Sequence, residues 1–343
     1  MRYPWVNVLL LAFVLLALVS GYFGLTNGDP DKAWILWVHG AVAYAILVLL
    51  GWKAAVVAGS LRRNRVAGTP RMAFLALATL LLFVLASGLT WANAGRIVFG
   101  PVSLIELHQW AAVAVAVLLA WHVVARRWVW GIAPARDRRA FLRLAAGAVA
   151  GAALLQATSA FAALTGLPGA KRRFTGSYET GSLTGRFPVV EWLFDAPDRV
   201  SPVEWRIEIA GEVETSRQLG LGDLLALPQH SLEATLDCTG GWYTTQAWSG
   251  VRIADLLALA RPRQGWSSIE VESVTGYSRR FSRSEAEGLL LSLGVAGRPL
   301  THGHGAPARL VVPHHRGFDW VKWVRRISVH NLSDVWQSPL PLQ

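Results

Sequence analysis

One cysteine, Cys238, is the residue of this sequence best suited to bind a metal or to act as a nucleophile. It is the only cysteine among 343 residues, which excludes an intrachain disulfide and any cysteine-rich zinc or iron–sulfur site. The strand-like segment Leu232–Cys238 runs into the glycine turn Thr239–Trp242. A cysteine that a rigid strand delivers into such a turn has an exposed sulfur, with room for a large group beside it. The alternative is a small core thiol, the commoner role of a lone cysteine.

Three histidines, His39, His108 and His122, lie within long apolar stretches, where an ionisable side chain is costly and functional by default. His39 and His108 lie about 6 and 5 residues from the outer ends of their stretches, so both are about 8–9 Å deep. Equal depth on two helices is what two imidazole ligands of one haem iron require. The alternative is that they are structural histidines bonded to neighbouring helices.

The spacing of His108 and His122 raises the question of a second haem. Fourteen residues are nearly four helical turns, so the two share one face about 21 Å apart. This spacing resembles transmembrane b-type cytochromes in which one helix holds an outer and an inner haem. An inner site would lack a second histidine, and Met72 is the candidate partner for His122.

Glu106 is a candidate acceptor for a quinol proton or, alternatively, an interfacial carboxylate in water.

Five apolar stretches carry these histidines, and each is long enough to cross a bilayer core of about 30 Å. They predict transmembrane helices over Trp5–Leu25, Ala33–Ala58, Met72–Trp91, Ser103–Ala125 and Leu144–Thr165. The composition agrees, with 53% hydrophobic and 16% charged residues, 17 tryptophans and a mean hydropathy of +0.35. These proportions exclude an ordinary soluble enzyme and a disordered or collagen-like chain.

The net charge of +11 is uneven, with +10 in residues 1–165 and +1 in residues 166–343. An excess confined to the apolar half indicates membrane topology and no nucleic-acid partner. The rule that cytoplasmic loops are basic puts the N-terminus inside and, after five spans, the C-terminal domain outside the cytoplasmic membrane. Only Lys171–Arg173 disagree with this topology, because they are basic and follow the fifth span on the outer side. The basic residues on the inner side are Arg2, Arg62, Arg63, Arg65, Arg71, Arg126, Arg127, Arg136, Arg138, Arg139 and Arg143.

The segment Asp137–Arg143 (Asp-Arg-Arg-Ala-Phe-Leu-Arg) precedes the fifth span and resembles a twin-arginine export signal. That route carries folded proteins, often with a cofactor already bound, so the next domain is expected to fold around a group before export. The alternative is an arginine cluster that only sets topology. Ala160–Ala162 is a candidate cleavage site, but the run is long enough for an anchor, and we favour an uncut helix.

The rest of the chain predicts a strand-rich α+β domain. Alternating residues predict strands over 205–210, 268–274 and 309–312, and short helices are predicted over Leu221–Leu227, Ile253–Ala260 and Arg283–Leu290. The predicted organisation is a four-helix transmembrane domain in residues 1–130, the signal and fifth helix in 131–166, a Gly-, Ser- and Thr-rich tether in 167–187, and the globular domain in 188–343.

Two sequence blocks identify the class of this domain. The first contains Cys-Thr-Gly-Gly-Trp (238–242), then Trp248–Val251 and Ile253–Leu257. The second contains Gly297–Leu300, His304–Pro313, Gly317 and Val321–Trp323. Over roughly residues 185–335, the two blocks in this order resemble the molybdopterin domain of the sulfite oxidase superfamily, a match far more specific than a short motif.

This resemblance implies a Mo-molybdopterin cofactor, with Cys238 as the single protein thiolate on molybdenum. His304 and Arg309 match the pair that holds the pterin and its phosphate. A buried dianionic phosphate suits a fork-shaped guanidinium together with the point charge of an ammonium. The segment that closes over the phosphate matches Trp320, Val321 and Lys322, and Ser273 matches a further pterin contact loosely.

Two departures from the family concern the substrate. Where sulfite oxidases have an arginine five residues after the cysteine, this chain has Tyr243, and Arg186–Trp192 offers no clear counterpart to their other substrate arginine. A site without those cations is expected to bind sulfite poorly. The pair Trp242 and Tyr243 is more similar to the bacterial protein-methionine-sulfoxide reductases of this superfamily. We therefore predict Trp242 and Tyr243 as catalytic-site residues beside Cys238.

The sequence thus predicts a multi-pass, membrane-bound molybdenum oxidoreductase. Electrons from quinol would pass through a haem b on His39 and His108 to the molybdenum site, which would reduce a sulfoxide or similar oxide. The expected partners are membrane lipid, the quinone pool and a small-molecule or sulfoxide substrate. The alternatives are a quinone-linked oxidase of a sulfur compound other than sulfite, and a non-catalytic membrane-anchored binding or assembly protein.

Overall fold

The protein divides into two compact units, Met1–Tyr178 and Glu179–Gln343. The computed structural model describes residues 4–63, 69–125, 138–191, 195, 197–333, 336–338 and 340. Several residues named above lie outside the described ones: Arg2, Arg65, Arg126, Arg127, Arg136, Asp137 and Trp192.

The first unit contains the five predicted helices, and this prediction is confirmed. They are α1 (Pro4–Thr26), α2 (Trp34–Arg63), α3 (Thr69–Ala94), α4 (Leu104–Ala125) and α5 (Arg138–Thr165). Each contains a stretch that is long and apolar enough to cross a membrane. The start of α5 was wrong by six residues, because the helix takes in the arginine-rich segment before the apolar run. A 3₁₀ turn (Pro30–Lys32) precedes α2, and a short hairpin of β1 (Val98–Phe99) and β2 (Val102–Ser103) precedes α4.

Small residues let the helices of this unit approach closely. A Cβ on Gly24 of α1 would collide with Leu36 of α2, and one on Gly151 of α5 would collide with the backbone at Ala41 of α2. The α2–α5 contact also includes a hydrogen bond from the Tyr44 hydroxyl to Thr158 Oγ1 at 2.8 Å. The fifth helix therefore packs against α2 within the same compact unit.

Glu106 acts as the cap of α4. Its Oε2 accepts hydrogen bonds from the Ser103 backbone N–H at 2.6 Å and from Ser103 Oγ at 2.8 Å. A carboxylate three residues after the N-cap serine is a capping box, which satisfies donors that the first turn leaves unpaired. This local role accounts for Glu106, so the geometry gives no support to a quinol-proton acceptor there.

The segment expected as a tether is folded. It contains a 3₁₀ turn (Pro168–Lys171) and the short strand β3 (Tyr178–Glu179). Within the second unit, the Thr180 backbone N–H donates to Tyr243 O at 2.8 Å, and the Gln246 side chain bonds to both Gly181 and Gly185. These hydrogen bonds hold the start of the second unit against one strand, which a free linker would not do.

The second unit is a strand-rich α+β domain with two sheets, as predicted. One sheet is antiparallel and is built on β7 (Trp242–Arg252) and β10 (Leu290–Val295), which pair with each other. The strand β6 (His230–Cys238) pairs with β7. The short strands β11 (Arg298–Pro299) and β12 (Arg309–Val311) pair with β10. The other sheet has the order β5 (Arg217–Gly220), β4 (Arg206–Gly211), β13 (Val324–His330), β8 (Ser268–Ser273) and β9 (Ser278–Ser282), with β4 and β13 parallel.

Three short helices complete this unit: α6 (Leu221–Ala226), α7 (Ile253–Ala260) and α8 (Arg283–Ala286). The prediction of a helix over Arg283–Leu290 was wrong beyond Ala286. Ser282 and Glu285 form a capping box that starts a single turn, and Leu290 already belongs to β10. Every residue of β10 is buried, and a fully buried strand has the same continuous apolar pattern as a short helix.

Candidate functional site

Cys238 is the last residue of β6, where the chain turns into β7. Its carbonyl accepts the Gly241 N–H at 3.1 Å, and its Sγ accepts the Gly240 N–H at 3.4 Å. Gly241 has φ +84°, a left-handed conformation that favours glycine. The thiol is half-buried, so the predicted strand-to-glycine-turn geometry presents it to an open space.

That space is a pocket holding about 500 Å³ together with its mouth. Five of the residues singled out in the sequence meet there, although they come from three separate parts of the chain: Cys238, Trp242, His304, Arg309 and Lys322. Residues 188–191 and Phe318 also line the pocket.

His304 is fixed as a neutral imidazole on one wall. Its Nε2 lies 3.1 Å from Phe187 O, to which it donates, so Nδ1 accepts from Thr301 Oγ1 at 3.0 Å. The Phe187 ring stacks on it at 4.0 Å between centroids. Burial lowers the pKa of His304, and the positive charges of Arg309 and Lys322 lower it further.

Arg309 is the buried cation of the pocket. It lies with its guanidinium carbon 5.5 Å from the Trp248 ring and 5.7 Å from the Trp320 ring, and it is only 3% exposed. Nη1 donates to His304 O at 3.2 Å, but Nε has no hydrogen-bond partner among the described residues. Burial lowers the pKa of Arg309 to about 10, with the Cys238 charge acting in the opposite direction. A buried guanidinium with an unused donor fits an anionic ligand.

Lys322 lines both this pocket and an adjoining cavity, and Trp320 lines only the adjoining cavity. Lys322 Nζ donates to Val190 O at 2.8 Å and to Gly303 O at 2.7 Å, both of them backbone carbonyls. Burial and the Arg309 charge lower the pKa of Lys322 to about 8. Trp320 lines an adjoining cavity with Lys322 and Phe318, and its buried Nε1 also has no partner among the described residues.

Three predicted site residues line neither the pocket nor the adjoining cavity. Tyr243 follows Trp242 on β7, and adjacent residues of a strand point to opposite faces, so only the tryptophan faces the pocket. Val321 is buried in the core beside Lys322 and holds its segment by accepting the Leu310 N–H at 2.8 Å. Ser273, at the end of β8, accepts hydrogen bonds from the Thr275 N–H at 3.3 Å and Thr275 Oγ1 at 3.0 Å. The roles given to Ser273 and Tyr243 stay predictions.

In the first unit, His39 of α2 and His108 of α4 face each other with ring centroids 6.2 Å apart and planes at 82°. A metal–nitrogen bond of about 2.0 Å and a ring radius of about 1.2 Å would put two imidazole centroids about 6.4 Å apart across one metal ion. Each Nδ1 lies 2.9 Å from a backbone carbonyl, that of Ala17 for His39 and that of Val84 for His108. Donation to that carbonyl would leave Nε2 as the nitrogen available to a metal.

The two histidines have matching surroundings on the neighbouring helices. Ser20 Oγ lies 3.4 Å from His39 Nδ1, and Ser87 Oγ lies 3.3 Å from His108 Nδ1. A glycine follows each serine, and the ring of the histidine occupies the space where a side chain would be: a Cβ on Gly21 would lie 3.0 Å from His39 Cε1, and one on Gly88 would lie 2.9 Å from His108 Cε1. Each helical hairpin therefore supplies one imidazole and the groove that holds it.

This symmetry extends along α2 and α4. Thirteen residues after each histidine comes a tryptophan within a similar run, Val-Leu-Leu-Gly-Trp at 48–52 and Val-Leu-Leu-Ala-Trp at 117–121. The next residues are Lys53 and His122, so the inner position is not a second histidine pair. Met72, the suggested partner of His122, has a side chain 67% exposed, and this exposure gives an inner haem site no support.

A thiol on a strand end, a stacked neutral imidazole and buried unpaired donors define a site for a large anionic cofactor with a soft metal. Comparison with known proteins specifies the class. Residues 194–335 match the family model of the oxidoreductase molybdopterin binding domain. The matched region is similar to the molybdopterin domains of the sulfite oxidase superfamily, and this similarity indicates an oxidoreductase enzyme.

Three relatives illustrate the range of the superfamily. The uncharacterized oxidoreductase YuiH of Bacillus subtilis (strain 168) is 28% identical over 149 residues, covering 43% of this chain and 75% of the relative. Mitochondrial sulfite oxidase of Mus musculus is 32% identical over 165 residues, covering 38% and 30%. The protein-methionine-sulfoxide reductase catalytic subunit MsrP of Gluconobacter oxydans (strain 621H) is 30% identical over 164 residues, covering 41% and 52%. The chain thus spans about a third of the sulfite oxidase and about half of MsrP.

Some features of the site have no signal in the sequence motifs. The stack of Phe187 on His304 joins residues 117 positions apart, and the buried ion pair of Arg316 with Asp237 joins residues 79 apart. The paired Ser-Gly steps at 20–21 and 87–88 do leave a signal, because they recur at similar distances before the two histidines.

Proposed function

We propose that this protein is a membrane-bound molybdenum oxidoreductase that reduces a sulfoxide-type substrate with electrons drawn from quinol through a haem b. The observation that carries the molybdenum part is the convergence of Cys238, His304, Arg309 and Lys322 on one pocket. The unpaired buried donors on Arg309 and Trp320 fit the anionic, hydrogen-bonding pterin. When bound, the molybdenum–pterin group supplies oxygen-atom transfer and a two-electron change.

The side chains of the pocket would divide the work of holding this group. Cys238 would supply the soft thiolate ligand, and Arg309 would meet the phosphate with its guanidinium. His304, kept neutral, would exchange one of its two hydrogen bonds, to Phe187 O or to Thr301 Oγ1, for one to the pterin. Lys322 would exchange its carbonyl partners for the phosphate, and a nearby dianion would raise its pKa from about 8, so the ammonium would stay charged at neutral pH.

The direction of the reaction is argued from the substrate side of the pocket. The described lining residues include two cations, Arg309 and Lys322, and both are assigned to the cofactor. The remaining wall at 188–190 is Pro-Val-Val, with the apolar ring of Phe318 beside it. Such a wall suits a neutral sulfoxide better than an oxyanion. Oxidation of a sulfur compound other than sulfite is the second candidate, which similarity to mouse sulfite oxidase supports.

The electron route is argued from His39 and His108. Their spacing, the hydrogen bonds from Nδ1 and the glycine grooves fit a bis-imidazole haem. The five long apolar helices support a membrane location, and membrane lipid and the quinone pool would be the partners of this unit.

The first test is the content and activity of the full chain purified in detergent. We expect molybdenum with pterin, a low-spin b-type spectrum, and reduction of methyl sulfoxides by a reduced dye. Sulfite with ferricyanide is the matched assay for the opposite direction. Protein with molybdenum that oxidises thioethers or sulfane compounds and does not reduce sulfoxides would favour the second candidate. Protein without molybdenum or pterin would leave the non-catalytic alternative.

The second test concerns export of the C-terminal domain to the outside of the cytoplasmic membrane. Arg138 and Arg139 are the first two residues of α5, and both are exposed. Arg138→Lys with Arg139→Lys keeps the charge that sets topology but removes the paired guanidiniums that a receptor would recognise. We expect the domain to become resistant to external protease in intact spheroplasts.

Arg143→Lys is the matched control, because it keeps a basic residue outside the arginine pair. Full protease access in the double variant would show that the pair acts only on topology.

A further inference from the structure

Arg316 and Asp237 form a buried ion pair directly behind the cysteine. Arg316 Nη1 donates to Asp237 Oδ1 at 2.6 Å, and Nη2 donates to Cys238 O at 3.1 Å. The side chains are 3% and 2% exposed. One guanidinium thus binds the residue before the cysteine through its carboxylate and the cysteine itself through its carbonyl.

Backbone contacts also join the segment at Arg316 to the end of β6. Asp237 and Arg316 form an isolated parallel β-bridge. The next residue, Gly317, approaches so closely that an added Cβ would lie 3.3 Å from Leu236 Cδ1, 3.4 Å from Asp237 O and 3.5 Å from Cys238 Cα. The segment that begins at Arg316 therefore touches three consecutive residues at the end of β6.

The same segment continues to the other end of the cofactor pocket. A 3₁₀ turn (Gly317–Asp319) follows Arg316 and leads directly to Trp320 and Lys322. Arg316 is thus the point where the chain that holds the phosphate end of the cofactor is bound to the strand that holds the thiol.

A fully buried ion pair is an inefficient way to stabilise a fold. Removing two charges from water is costly, and apolar side chains of similar volume often serve stability equally well. What the guanidinium fork does provide is fixed geometry, since its two donors define one orientation of their acceptors. At this position the acceptor is the carbonyl of Cys238, so the fork restricts the backbone from which the thiol projects.

We infer that Arg316, held by Asp237, is a positioning residue that sets the direction of the Cys238 thiolate at molybdenum. This inference rests on the proposed function, in which Cys238 is the metal ligand. Partners behind a metal ligand typically change metal affinity or activity by about 10–100-fold when they are removed.

The test compares Arg316→Lys and Asp237→Asn with the wild type in the full-length, cofactor-loaded protein. Lysine keeps the charge but cannot bond both acceptors with fixed geometry. Because His304, Arg309 and Lys322 are unchanged, we expect molybdenum and pterin content to stay at the wild-type level. We expect kcat to fall by about 10–100-fold with KM unchanged, and the g-values of the Mo(V) electron paramagnetic resonance signal to shift.

Two further variants separate positioning from folding. Arg280→Met removes a guanidinium from an ion pair with Glu270 on the other sheet, and it is expected to leave the Mo(V) signal unchanged. The double variant Arg316→Met with Asp237→Leu removes both buried charges, so it is expected to fold while its Mo(V) signal stays shifted.

Three results distinguish the possible failures. A wild-type Mo(V) signal and wild-type kcat in Arg316→Lys and in the double variant would overturn the positioning role. A shift of equal size in Arg280→Met would also overturn it, because the effect would then be a general loss of stability. A wild-type protein with no molybdenum would instead contradict the proposed function.

Discussion

Replacing Cys238 with serine is expected to abolish turnover of every oxygen-atom-transfer substrate, by far more than the roughly 100-fold that a residue behind a ligand controls. Serine has almost the same size and retains hydrogen-bonding capacity at the end of β6. Its hydroxyl is a hard ligand that stays protonated at neutral pH, whereas the thiol readily supplies a soft anion. The measurement is dye-linked sulfoxide reduction by the purified variant, normalised to its pterin content.

The pterin content of this variant is the informative control. His304, Arg309 and Lys322 line the pocket and are unchanged in this variant, so pterin is expected to remain bound. Thr235→Ser, at a position within β6 whose hydroxyl bonds to Thr245 outside the pocket, is a matched substitution expected to keep activity. Activity near the wild-type level in Cys238→Ser would contradict the molybdenum site itself.

Elements of the fold could be predicted from the sequence where the apolar residues formed one clear pattern. The helices of the first unit follow from apolar length, and α7 begins and ends where predicted because its apolar face repeats at helical spacing. The error at Arg283–Leu290 shows the limit of that reasoning. Leu289 and Leu290 are buried in the sheet domain, and whether such a run is helix or strand depends on the strand that pairs with it.

The sequence indicated the residues of the pocket by two different routes. Cys238 stood out by its residue type and its glycine turn, whereas His304, Arg309 and Lys322 were matched through the family resemblance of the two sequence blocks. Trp242 and Tyr243 could not be separated in this way, because their different roles follow from which face of β7 turns to the pocket.

Arg316 shows what sequence reasoning could not reach. Its partner Asp237 is 79 residues away in the sequence. Taken alone, neither residue can be distinguished from an ordinary charged residue of the protein surface. The charge pair becomes meaningful only when folding buries it behind the cysteine. Predictions of chemistry from residue types therefore find the groups that touch a cofactor and miss the groups that orient them.

The haem proposal predicts an equally large effect in the first unit. His39→Ala and His108→Ala should each remove the low-spin b-type spectrum, because a single imidazole rarely retains haem in such a site. Quinol-driven turnover should be lost with it, while dye-driven turnover at the molybdenum site should survive, since the dye bypasses the membrane unit. His122→Ala is the control, and it should leave the spectrum unchanged if the bundle holds one haem.

Glycine substitutions make this prediction sharper, because they keep both histidines in the sequence and disturb only their positions. Gly88→Ala would bring a Cβ to 2.9 Å from His108 Cε1, and Gly21→Ala would bring one to 3.0 Å from His39 Cε1, so each should displace its imidazole. Gly51→Ala meets no atom within 4 Å and should have a wild-type spectrum. We expect loss or a shift of the haem bands in the first two variants and none in the third. Unchanged bands in Gly88→Ala, together with full haem content in His108→Ala, would show that the two facing histidines do not bind the haem.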